Sequence, residues 1–182
     1  MNLKKWVFTL SAAVLLSGTA ALAQTAPQTQ EPDMTKILQQ YQEATAKLNK
    51  QFDEKLLPPV KGLTSLLVKI QNSGQTELTP DQELEIEAYS QQIDNNLTAL
   101  VTPIVKELDI AQLNTQYQQM MKEAGVPNPP TLTKEMATEM FKGMYILGAL
   151  THFEEAQKLT QEELEVAVAL FFPSNEDEQA AQ

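Results

Sequence analysis

The stretch Thr79 to Leu108, TPDQELEIEAYSQQIDNNLTALVTPIVKEL, decides the fold. It opens with a threonine placed to cap a helix, a proline at the first helical position and a glutamine at the third. Its apolar residues then fall at Ile86, Tyr89, Ile93, Leu97, Leu100, Ile104 and Leu108. Steps of three and four residues set all seven on one helical face. Pro103 lies inside this pattern, and an interior proline costs ~3 kcal/mol in a helix. The stripe nevertheless crosses it in phase, which favours one helix kinked at Pro103. The other reading has Thr102 capping a new helix that starts at Pro103.

The same period recurs on both sides. Upstream, Ile37, Leu38, Tyr41, Ala44, Leu48, Phe52 and Leu56 mark one face, with Asp33 as N-cap and Pro58-Pro59 as the stop. Val60, Leu63, Leu66, Leu67 and Ile70 make a shorter stripe ending at Gly74. Downstream, Asp109 is placed to cap a helix bearing Ile110, Leu113, Tyr117, Met120 and Met121, with Gly125 as its C′ residue. Val126 to Thr131 (VPNPPT) holds three prolines and reads as a loop. Thr133 then caps a helix whose Met144 to Leu150 (MYILGAL) is apolar nearly all round, the mark of a helix central to a bundle. Thr160-Gln161-Glu162-Glu163 is a capping box, with Leu159 and Leu164 at the staple positions. Val166 to Phe172 would pass for a buried strand, but no other segment offers it a partner. The expected fold is all-α, a bundle of five to six amphipathic helices over residues 33–172.

Composition narrows the chemistry. The chain has 182 residues, a length that favours one domain, and is 42% hydrophobic, enough for a packed core. It contains no cysteine, which removes disulfides, thiolate metal sites and cysteine nucleophiles. All 13 basic residues are lysines, so bidentate guanidinium recognition is missing. A net charge of −11 argues against nucleic acid or an anionic membrane as partner.

The first 23 residues carry Lys4 and Lys5, a short apolar run from Trp6 to Leu16, and Ala21-Leu22-Ala23. That is the pattern of a secretory signal peptide cut before Gln24, the alternative being an uncleaved anchor. The expected localisation is periplasmic or secreted, with no membrane-spanning segment after cleavage. Residues 24–32 read as a flexible leader and 173–182 as an acidic disordered tail.

Few residues suggest a reactive site. Met136, Met140 and Met144 stand at i, i+4 and i+8, with His152 two turns on. Thioethers in a row beside an imidazole suit Cu(I) or Ag(I). The competing account is core packing, since methionine fills irregular interiors. His152, the single histidine, has no G-x-S-x-G or comparable nucleophile motif to serve. It suits a helix end or a carboxylate partner. Glu83, Glu85, Glu87, Glu162, Glu163 and Glu165 read as solvated surface, several of them in first helical turns. Asn96-Leu97-Thr98 is a formal glycosylation sequon, but it falls mid-helix behind a bacterial-looking leader, and chance is the better account.

Leu78-Thr79-Pro80-Asp81-Gln82 reads L-T-x-x-Q, and Leu159-Thr160-Gln161-Glu162-Glu163 is close to it. Paired motifs of this kind resemble the periplasmic LTxxQ-motif stress and chaperone proteins (CpxP/Spy type). The resemblance implies a curved helical homodimer whose concave face holds client proteins. The chain departs from that family in its negative charge and its lack of arginine, where the family tends to have a basic cradle. Leu159 to Phe172 (LTQEELEVAVALFF) separately resembles the acidic, aromatic-ended helix in a family of small secreted helical bacterial proteins of unknown function. That family's following glycine is replaced here by Pro173.

Together these readings give an exported helical protein, not an enzyme and without a cofactor. It acts by binding another protein or an apolar segment in a groove lined by Leu, Met and aromatic side chains. The rival is a periplasmic soft-metal carrier using Met136, Met140, Met144 and His152. A hydrolase with an unrecognised site is a third reading.

Overall fold

The computed structural model describes residues 34–173. The expected signal peptide, leader and Asp33 cap lie outside these residues, as does the tail beyond Pro173. Two compact units divide the chain between Lys47 and Leu48. Six α-helices account for most of the described residues: α1 (Met34–Gln51), α2 (Leu57–Asn72), α3 (Pro80–Glu107), α4 (Ile110–Glu123), α5 (Lys134–Glu155) and α6 (Gln161–Phe171). Among the described residues there is no strand, and Val166 to Phe171 is helical. The all-α reading holds.

In the first unit, Gln39 donates to Glu43 one turn on, at 3.0 Å. Leu38 and Tyr41 of the expected stripe are each 56% exposed.

The second unit contains the core. Pro58-Pro59 does not stop the chain as expected. The residues Phe52–Leu56 form a π-turn that leads directly into α2, where the prolines occupy the first turn. Because the π-turn runs on into α2 without a break, each missing proline N–H is a donor lost to the preceding turn. Pro59 leaves the Lys55 carbonyl, four residues back, without its usual donor. Asn96 of α3 supplies the replacement, its Nδ2 donating to Lys55 O at 2.7 Å. The π-turn also turns Phe52 and Leu56 inward, and both are buried beside Val60 and Leu63 of α2.

α3 is one helix through Pro103. Thr102 does not cap a new one: its hydroxyl donates back to Thr98 O at 2.7 Å, in the helical i to i−4 manner. Val101 and Val105 on either side are buried, so the inward face continues across the proline. At Gly62, α2 and α3 approach so closely that an added Cβ would stand 2.5 Å from the Tyr89 ring.

The expected caps at Thr79, Asp109, Thr133 and Thr160 form. Thr79 and Gln82 make a reciprocal box, and so do Thr160 and Glu163. Asp109 accepts from Ala111 and Gln112, and Thr133 accepts from Met136. α4 ends on Gly125 at φ +87°, with Val126 N–H donating to Met121 O and Gly125 N–H to Lys122 O. That pair of bonds defines a Schellman ending. α5 ends the same way on Gln157, at φ +53°, a conformation that side chains other than glycine pay to enter.

Ile146, Ala149, Leu150 and Phe153 of α5 join the core with Ile93, Leu97 and Leu100 of α3 and Ala167 of α6. The expectation that MYILGAL lies centrally is met, although Gly148 is exposed. α4 buries none of its residues, its apolar face being only half covered. Polar ties across the proline loop hold it: Gln118 donates to Pro129 O and Pro130 O, and Asn114 accepts from Leu132 N–H.

One carboxylate departs from the solvated reading. Glu163 is only 7% exposed. Its Oε1 accepts from the Ser65 hydroxyl and its Oε2 from the Thr160 N–H at 2.8 Å. Burial works against the charge, but the bonds from Ser65 and Thr160, with Lys61 nearby, outweigh it and hold the carboxyl below its ordinary pKa.

Candidate binding groove

An open groove of about 410 Å³ lies in the second unit between α3, α5 and the end of α6. Its floor is aliphatic: Leu63 from α2, Ile93 and Leu97 from α3, and Ile146 from α5. Leu170, 45% exposed, and Phe171 form one wall. Each helix delivers its share by period. Ile93 and Leu97, four apart, reach the floor while Ser90 and Asp94 stand on the adjacent strip at the rim. On α5, Glu139, Lys142, Gly143 and Ile146 follow at the same helical spacing. Gly143 lines the groove, and a Cβ added there would stand in open space, with nothing within 4 Å.

Charge sits on the rim. Lys142 Nζ lies 2.8 Å from Asp94 Oδ1 and 3.1 Å from Glu139 Oε1, so one cation serves two carboxylates and ties α5 to α3. The lysine side chain is 13% exposed, against 65% for Asp94 and 70% for Glu139. The hydrogen bond to Asp94 outweighs the lysine's partial burial and, with Glu139, raises its pKa above the ordinary amine value. Of the Leu, Met and aromatic side chains expected to line a binding groove, leucines and Phe171 line this one and no methionine does.

Met136, Met140 and Met144 are each half-buried on α5, neither in the core nor on an open face. His152 is half-buried too, and its Nε2 lies 3.0 Å from Asp53 Oδ1. Lys158 pairs with the same oxygen. Asp53 therefore draws together the π-turn, α5 and the loop that follows α5. Burial opposes its ionisation, yet the hydrogen bonds from Lys158 and His152 prevail and hold its carboxyl below the usual value. Lys61 Nζ of α2 donates to Lys158 O at 3.1 Å, which pins the positive-φ turn from the other side. These contacts join elements of the fold. Among the described residues, no group of three or more His, Asp or Glu side chains is placed to hold a metal ion.

The Asp94–Lys142–Glu139 rim was missed by sequence reasoning. The signal was present in part, since Glu139 and Lys142 stand one turn apart on α5. Their approach to Asp94 is a tertiary fact that no local spacing reports. The two L-T-x-x-Q-like motifs are both used at helix starts, where Thr79 with Gln82 and Thr160 with Glu163 close capping boxes. Among the described residues, no helix is long and apolar enough to cross a membrane. Compared with protein families, with characterised proteins and with solved structures, the chain matches none.

Proposed function

We propose that this chain is an exported, non-enzymatic binding protein that holds an apolar segment of another protein in the groove between α3, α5 and α6. The observation that carries the reading is the groove itself. Its aliphatic floor is the outer edge of the buried core, with open space beside Gly143 and the exposed Leu170 along one wall. Its volume falls within the range of ligand-binding clefts, roughly 300–1,000 Å³. Export rests on the lysine-bearing, short-cored N-terminus with its Ala21-Leu22-Ala23 ending. The twin L-T-x-x-Q-like turns, similar to those of periplasmic chaperones, favour a client that is itself a protein.

Gly143→Leu tests this reading. The new side chain adds bulk in open space at a residue that lines the groove and replaces a mid-helix glycine, a change worth about 0.5–1 kcal/mol in helix propensity. Stability should hold or rise while binding of a neutral Leu/Gln amphipathic peptide, followed by fluorescence anisotropy, is lost. Equal binding by parent and variant, or none by the parent, would refute the groove as the site.

A further inference from the structure

Building on the proposed groove, we infer that the segment it takes is cationic: a run of apolar residues flanked by lysine or arginine. The rim supplies the reason. Of the groove's charged lining residues, Asp94 and Glu139 are negative and Lys142 alone is positive. Lys142 is already engaged by both carboxylates, at 2.8 and 3.1 Å. Each carboxylate meets it through one oxygen, Oδ1 of Asp94 and Oε1 of Glu139, and both side chains remain largely exposed. An arriving ammonium or guanidinium therefore finds two accessible acceptors in a groove whose exposed apolar side chain is Leu170.

The helix faces that lead to the rim carry the same sign. Glu87 precedes Ser90 and Asp94 at helical spacing on α3, and Glu135 stands one turn before Glu139 on α5. Both are exposed. An acidic segment in the groove would meet the Asp94 and Glu139 carboxylates and a lysine whose charge is already shared, an arrangement that repels it. The chain-wide charge of −11, with no arginine, adds a long-range field of the same sense. Apolar contact holds the segment, and the rim selects its sign.

Binding of three synthetic peptides of equal length to the full chain, measured by calorimetry at low and raised salt, decides the matter. One alternates leucine with lysine on an amphipathic helix, one replaces lysine with glutamate, and one replaces leucine with serine. The Leu/Lys peptide should bind at least about tenfold more tightly than Leu/Glu, with the preference shrinking as salt is added. The Asp94→Asn/Glu139→Gln double variant, its folding checked by circular dichroism, should lose most of that preference. Lys142→Met removes the competing cation and should widen it, which keeps the test open if the double variant does not fold.

Equal affinity for Leu/Lys and Leu/Glu overturns the cationic preference and leaves the groove standing. Binding of Ser/Lys as tight as Leu/Lys reduces the effect to general charge attraction and overturns it as well. No binding by any of the three, nor by the neutral Leu/Gln peptide, removes the groove reading itself. A concentration-dependent dimer that excludes peptide and is broken by Gly143→Leu assigns the groove to a second copy of the chain instead.

Discussion

The contact between Asn96 and Lys55 offers a test of how the chain passes its two prolines. Pro59 cannot donate to the Lys55 carbonyl, and Asn96 Nδ2 does so at 2.7 Å. A neutral hydrogen bond of this kind contributes about 0.5–1.5 kcal/mol. Lys55 is exposed, so water offers the carbonyl a partial substitute, and about 1 kcal/mol is the reasonable figure. Asn96→Ala alone would show less than that, because alanine is the better helix former by about 0.5 kcal/mol. A double-mutant cycle removes this offset. In a Pro59→Ala background the N–H of residue 59 returns and bonds Lys55 O, so the Asn96 side chain becomes redundant. The propensity gain at residue 96 is the same in both backgrounds and cancels, as does the packing change at residue 59. Urea denaturation of the four proteins should give a coupling of about 1 kcal/mol, or about 2–4 °C in melting temperature for a chain of this size. Additivity within about 0.3 kcal/mol would refute the exchange of donors.

Two further outcomes are expected. Gln157 holds φ +53° at the end of α5, so Gln157→Gly should raise stability by about 0.5–1 kcal/mol in a thermal melt; an unchanged midpoint would contradict the left-handed turn. Glu163 and Asp53 are more acidic in the folded chain than in the unfolded one, so their contribution is complete above the ordinary carboxylate range. It should disappear as pH falls through that range to the lower folded values, and Glu163→Gln should flatten the acid limb of a stability-against-pH curve, whereas an identical limb would refute the buried pairing.

Local chemistry was the legible part of this fold. Thr79 with Gln82, Thr160 with Glu163, Asp109 and Gly125 each announce a helix end through groups within four residues of one another, and each forms as read. The stripe also led rightly to one helix through Pro103, although the side chains buried beside the proline are Val101 and Val105 while Ile104 and Leu108 of the stripe are half-buried. What failed depended on partners far away in the chain. Pro58-Pro59 read as a stop because the local rule counts only the lost N–H groups, and the compensating donor, Asn96, lies 41 residues beyond Lys55. Glu163 read as solvated because its capping role is visible locally while Ser65, 98 residues earlier, is not. The methionine row occupied a helical face as expected, yet half-burial follows from how neighbouring helices sit, which spacing does not encode. The groove shares this origin. Its two faces can be drawn on helical wheels, but the approach of Lys142 to Asp94 cannot.

The most direct measurement of the central claim is methyl-resolved NMR of the chain titrated with the Leu/Lys peptide. The shifts should concentrate on the methyl groups of Ile93, Leu97, Ile146 and Leu170, which line the groove, and should vanish in Gly143→Leu. Shifts centred instead on Ile110, Leu113 and Met120 of α4, or spread without focus over the second unit, would contradict the account.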